Sequence, residues 1–259
     1  FTTDLPNALE SFLGEESLTS DGLSLSVLIP NPWDLYLESI TEVGSATAGP
    51  SFNSNDRELM YLEHLKAFFD TTANSTLEIG ATGAWGRTGA SESLLETIDA
   101  LPIYSGPPPE DDFDSRLFGL DITYKWRPVG FNVYRSFLWQ TELLRNRRDV
   151  EFLVDPMALG RERVESLGGY SYVEWQFARR WRAGARYDKL EFPHDDRQRE
   201  WAASTLLRFQ PSEFQEIRFQ IKLTRRNPSA ASLFDNERDD TQIFIEWIPS
   251  IGAHAAHEY

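Results

Sequence analysis

Apolar and polar residues alternate one by one along most of this chain. Over 22–29, Leu23, Leu25, Val27 and Ile29 share one face and Ser24 and Ser26 the other. A period of two is that of an extended strand with two unlike faces. The pattern returns over 33–43, 59–69, 76–85, 117–127, 133–144, 169–179, 181–192, 199–209, 214–225 and 241–249, and predicts about eleven strands. Most approach the roughly 9–11 residues that a tilted strand needs to cross a bilayer. The clearest set Leu120, Ile122, Tyr124 and Trp126 against Asp121, Thr123, Lys125 and Arg127. Ile217, Phe219, Ile221 and Leu223 oppose Glu216, Arg218, Gln220 and Lys222 in the same way.

The connections sort by length. Pro30-Asn31-Pro32, Asp70–Ser75, Pro128-Val129-Gly130, Arg179-Arg180 and Pro211-Ser212-Glu213 read as tight turns. Polar stretches at 44–57, 86–116, 145–168, 193–198 and 226–240 lie between them and read as longer loops. Outer-membrane barrels have this asymmetry, with short periplasmic turns and longer extracellular loops, and a soluble sandwich has no reason for it. The expected fold is all-β, an antiparallel up-and-down transmembrane β-barrel forming one domain over 1–259. With a periplasmic C-terminus the strand at 22–29 descends, so residues 1–21 are expected outside the cell. There, Ala8, Leu9, Phe12 and Leu13 suggest a short helix closed by Gly14 that folds over or into the pore; a further strand is the competing reading. Eleven strands are odd where single-chain bacterial barrels have even numbers, so further strands are expected upstream of Phe1.

Composition adds little to the class but narrows function. The chain is 41% hydrophobic and 25% charged, as a soluble protein would be, without the apolar run of about 18 residues that marks a membrane helix. Eight Trp, nine Tyr and seventeen Phe fall mostly at the ends of alternating segments, where barrels place interfacial girdles. Cysteine is absent, which fits passage through an oxidising compartment without disulfides. A formal charge of -16 argues against nucleic acid as a partner. Phe1-Thr2-Thr3-Asp4 has neither the basic start nor the apolar run of a signal peptide.

The strings Phe12-Leu13-Gly14-Glu15-Glu16, Tyr124-Lys125-Trp126-Arg127-Pro128, Trp139-Gln140-Thr141-Glu142 and Gln176-Phe177-Ala178-Arg179-Arg180-Trp181 resemble a family of porin-type bacterial outer-membrane β-barrels. The tail from Ile251 to Tyr259 is similar to that family's end, Gly-Ala-His, two residues, His and a terminal aromatic. Its members are described as outer-membrane proteins, some as zinc-regulated or TonB-dependent receptors. The resemblance implies a barrel of roughly 12 to 16 strands, with Tyr259 as the aromatic end read by the barrel-assembly machinery.

On this register Glu38, Glu42, Glu78, Asp121, Lys125, Arg127, Glu142, Glu174, Arg182, Arg186, Asp188, Glu200, Arg208, Glu216, Arg218, Lys222 and Glu246 face inward. A water-filled pore tuned by charges of both signs is one reading; a lumen filled by side chains that pair with one another is the other. Arg145, Arg147, Arg148 and Arg179, Arg180, Arg182 admit either an anion filter or interfacial arginines beside headgroups, and a ladder at one level would be needed for the former. His254 and His257, with Glu258 beside them, have a zinc-like spacing if helical, and read equally as a periplasmic tail. His64 and His194 are expected to be solvated or interfacial. Ser136, Ser171 and Ser204 have no His at close spacing and no Gly-x-Ser-x-Gly elbow, so no catalytic site is expected. The function expected is passive diffusion of ions or small solutes across the outer membrane, without a cofactor. The alternatives are a structural or interaction barrel whose loops bind a partner and a receptor for metal or siderophore uptake. Expected partners are outer-membrane lipid and lipopolysaccharide, small solutes or ions, and a second copy or neighbouring envelope protein.

Overall fold

The computed structural model describes residues 2–14, 18, 21–33, 35–45, 49–52, 58–89, 94–95, 98, 106, 108–109, 113–131, 134–155, 157–193, 195–227 and 239–250. Eleven strands follow a short helix, α1 (Asn7–Leu13): β1 (Gly22–Leu28), β2 (Tyr36–Ser45), β3 (Leu59–Thr72), β4 (Ser75–Thr88), β5 (Phe113–Trp126), β6 (Ser136–Asp155), β7 (Ala158–Ala178), β8 (Trp181–Phe192), β9 (Asp195–Ser212), β10 (Gln215–Asn227) and β11 (Asp239–Pro249). They form one antiparallel sheet in sequence order from β1 to β11, an up-and-down meander in which each strand pairs with the next.

The cross-strand partners carry two rows of side chains through the whole sheet. One face has Leu23, Leu65, Ile79, Leu120, Leu143, Val173, Leu207, Phe219 and Ile245, all exposed. Aromatic groups border it at both ends. Toward the short turns, Trp126 stacks on Trp175 with centroids 5.8 Å apart, Phe137 and Tyr124 adjoin them, and Trp181 stacks on Phe209 at 4.4 Å. Toward the opposite end lie Tyr61, Trp85 and Phe118, and the Tyr187–Trp201 pair. From Phe118 to Trp126 the eight-residue rise is about 26 Å along the strand. A tilt of roughly 40° brings that to about 20 Å, close to the ~25 Å apolar band of outer-membrane barrels. Glu63 lies on this face beside Tyr61, its carboxylate accepting hydrogen bonds from Ser39, Thr41 and Tyr61.

The other face is polar over much of its area, and the sheet curls around it. Pro50 and Ser51, from the β2–β3 connection, reach β6: Arg148 Nη1 donates to Pro50 O at 2.7 Å and Asn146 Nδ2 to Ser51 Oγ at 3.2 Å. One apolar cluster joins Met60 of β3, Ala84 of β4, Leu117 of β5, Leu144 of β6 and Leu190 of β8 through Phe12 and Phe52.

Two of the five expected loops are strands. The stretch 145–168 continues β6 and β7 as a paired ladder down to Asp155 opposite Ala158, and β9 begins at Asp195, within the expected loop 193–198. The pairing is written in charge: Arg145 and Arg147 bridge to Glu165, Arg163 to Asp149 and Arg199 to Glu191. A ladder with polar side chains on its exposed face loses the apolar period-two signal, which is why its sequence resembles a loop. Register shifts sit beside turns, between Asp70 and Thr72, Gln176 and Ala178, Gln215 and Ile217, Leu153 and Asp155, and Glu191 and Phe192, where an extra residue adds local twist.

Candidate functional site

The inner face and the segment lying on it form the candidate site. Residues 2–14 cross this face as a strap. Pro6 precedes α1 and Gly14 ends it at φ 88, its N–H donating to Glu10 O at 2.8 Å. Seven residues are too few for a helix to hold itself in water, so packing must supply its stability. Ala8 and Phe12 are fully buried. They lie on Gly168 of β7, where an added Cβ would stand 2.5 Å from the Phe12 ring. Phe52 folds over the same cluster, and Ser51 N–H donates to Phe12 O.

Before the helix the strap turns polar and so does the wall beneath it. The Asp4 carboxylate accepts from Arg186 Nη2 at 2.9 Å, Lys222 Nζ at 2.7 Å and Gln220 Nε2 at 2.5 Å. Arg186 Nη1 donates to Asp4 O, and its Nε to Asp188 at 2.8 Å. Asn7 N–H donates to Asp188, and Asn7 Nδ2 to Glu200 at 2.5 Å; Arg226 holds the other oxygen of Glu200 at 2.9 Å. Burial pushes the Asp4 carboxyl up, but Arg186 first and then the Lys222, Arg186 and Gln220 hydrogen bonds outweigh it and hold it below its ordinary value. Beside the strap a cleft of about 400 Å³ remains between Asn7 and Glu10 on one side and Thr224, Arg226, Asp240 and Gln242 on the other.

Nearer the short turns the inner face carries a row of arginines. Arg182 of β8 is in register with Arg208 of β9, and Arg208 with Arg218 of β10. Glu216 takes Arg208 Nε and Nη2 at 3.0 and 2.9 Å and also binds Arg218. Glu174 takes Arg208 Nη1 at 2.8 Å and the Tyr172 hydroxyl at 2.7 Å, and Glu246 takes Arg218 at 3.2 Å.

Across β1–β4 the same face is thinner. Ser24 donates to Glu42 at 3.0 Å, Ser26 and Tyr36 donate to Glu38, Lys66 pairs with Glu78 at 3.0 Å, and His64 Nδ1 lies 2.8 Å from Thr82 Oγ1. Asp121 and Glu142 stand opposite one another on β5 and β6, and Tyr170 of β7 is the register partner of Glu142.

No protein-family model matches this chain. An uncharacterized protein of Aquifex aeolicus (strain VF5) is 27% identical over 277 residues, covering 98% of this chain and 54% of that protein. The chain therefore spans about half the length of that curated relative. Among solved structures, the TodX deltaS2S3 mutant monoaromatic hydrocarbon channel is similar over 87% of this chain and 73% of its own, with 9% identity and a TM-score of 0.36.

The sequence-expected inward residues separate into groups. Arg186, Asp188, Glu200 and Lys222 meet the strap; Glu174, Arg182, Arg208, Glu216, Arg218 and Glu246 build the arginine row; Glu38, Glu42, Glu78, Asp121 and Glu142 lie on the less covered sector. Lys125 ends β5 on the inward side and Arg127 follows the strand, its backbone N–H donating to Asn74 O at 2.7 Å. His64 belongs to the inner face, half-buried, with its Nδ1 2.8 Å from Thr82 Oγ1. Arg148, expected either in an anion filter or among interfacial arginines, is buried inside, donating to Pro193 O and Pro50 O. His194, His254 and His257 lie outside the described residues, among which no metal-holding cluster of His, Cys, Asp or Glu occurs. Sequence reasoning missed Lys66, Tyr170 and Tyr172, which the inward parity of their strands contains, and Asp4 and Asn7, for which no periodic signal exists.

Proposed function

We propose that this chain is part of the wall of a bacterial outer-membrane channel for ions or small solutes, and that residues 2–14 narrow its lumen. The observation that carries this reading is the opposition of the two faces. An exposed apolar band between two aromatic borders suits lipid, and an inner face of charged side chains suits water. Passage is passive, needs no cofactor and involves no chemical step. The β6–β7 hairpin, well over the length of a membrane strand, projects outside the cell, with the turns near 73–74, 127–135, 179–180 and 213–214 in the periplasm. Among the described residues β1 and β11 each pair on one side only. Unpaired backbone groups cost several kcal/mol each in hydrocarbon, so in a membrane both edges are expected to be paired.

Planar-bilayer recording of the full-length protein tests the reading. Stepwise openings are expected, and they should grow when Gly168→Val lifts Phe12 off the wall. A folded barrel that stays silent in both forms would exclude the channel.

A further inference from the structure

One member of the arginine row has no partner among the described residues. Like charges set directly opposite one another on adjacent strands repel. Arg208 and Arg218 are relieved by Glu174, Glu216 and Glu246. Arg182, the third member, is half-buried and has no hydrogen bond or ion pair among the described residues. The oxygens of Glu174 and Glu216 already receive Arg208, Arg218 and Tyr172. Arg127, just after β5, also has no side-chain partner among the described residues. Lys125 is in the same condition at the end of β5. Among the described strand residues and Arg127, the inner face at the short-turn end thus sets Lys125, Arg127, Arg182, Arg208 and Arg218 against Glu174, Glu216 and Glu246. The strap end has the reverse, with Asp4, Glu10, Asp188, Glu200 and Asp240 against Arg186, Lys222 and Arg226.

We infer that Arg182 is a binding site for a freely diffusing oxyanion, a carboxylate or phosphate group, on the inner wall. A guanidinium presents a planar fork of donors that fits two oxygens of such a group at once, and an oxyanion there supplies the partner Arg182 lacks. Neutral solutes gain nothing at this position, and a simple halide has no pair of oxygens to meet the fork. The site rests on the proposed channel only in being reached from the lumen; its occupancy can be read without conduction.

Thermal unfolding of the full-length protein in detergent, in potassium phosphate against potassium chloride at matched ionic strength, tests it. Phosphate near saturation should raise the midpoint, on the order of 2–4 °C. Arg182→Gln should abolish the rise, and Arg182→Lys should retain only part, since an ammonium is a point charge. The exposed Arg225→Gln should leave it intact. No rise in the folded wild type, or an equal rise in Arg182→Gln, overturns the site. So does a response confined to short-chain phosphatidylglycerol, which would assign Arg182 to a lipid headgroup. A barrel that is silent in bilayers yet stabilised through Arg182 keeps the site and loses the channel; one that conducts without phosphate stabilisation does the opposite.

Discussion

Two parts of one inner wall use the same residue types to different effect. Under the strap, the side chains of Arg186 and Asp188 are each 1% exposed, and their ion pair shares Asp4 and Asn7. On β3 and β4 the Lys66–Glu78 pair has a similar length, but its side chains are 31% and 26% exposed. An ion pair open to water gains little, because solvent screens the attraction and two long side chains lose freedom. A covered pair leaves a charge without solvent if one member is lost. What separates the two sectors is therefore the cover that residues 2–14 provide. The strap turns an ordinary polar wall into a network whose members depend on each other.

The strongest way to break this contrast is Arg186→Met. It leaves Asp188 and Asp4 facing one another under cover, and a loss of roughly 3–5 kcal/mol is expected in denaturant unfolding of the detergent-solubilised protein. A loss below about 1 kcal/mol would mean that water reaches the pair and that the strap seals nothing.

Acid sharpens the contrast from the other side. The docked strap holds the Asp4 carboxyl below its ordinary value of 3.8, so the released strap binds the proton more readily. The stabilisation from Asp4 is complete above about pH 5 and is lost as pH falls below 3.8 through the lowered value. Limited proteolysis of residues 2–14 should accelerate over that window. Asp4→Asn should flatten the dependence and raise cleavage at neutral pH.

The smallest effect belongs to the uncovered sector. Lys66→Met should change stability by less than about 1 kcal/mol and leave cleavage of the strap unaltered. A cost comparable to that of Arg186→Met would show that β1–β4 is covered as well, by chain lying outside the described residues.

Strand number, order and facing could be read from the chain itself. A side-chain period of two fixes which residues share a face, and a one-residue slip would move Ile217, Phe219, Ile221 and Leu223 of β10 onto the charged side, so the inward assignment of Glu216, Arg218 and Lys222 follows from the pattern alone. The α1 segment was legible to the extent that Ala8, Leu9, Phe12 and Leu13 repeat at helical spacing before Gly14. Where both faces are apolar, as at Leu117–Phe118 and Leu143–Leu144, alternation disappears and with it any sign of the inner patch that receives Phe12. Where the exposed face is polar, as in 145–168, the signal vanishes for the opposite reason and a ladder looks like a loop. Tertiary structure alone decided that Asp4, about 180 residues from Arg186 and more than 200 from Lys222, would be their shared counterion. It also decided that Arg208 would be paired while Arg182, on the neighbouring strand at the same level, has no partner among the described residues. Periodicity is a property of neighbours along the chain. Which charges are neutralised depends on what a curled sheet and a strap bring within 3 Å of each other across it, and no local pattern encodes that distance.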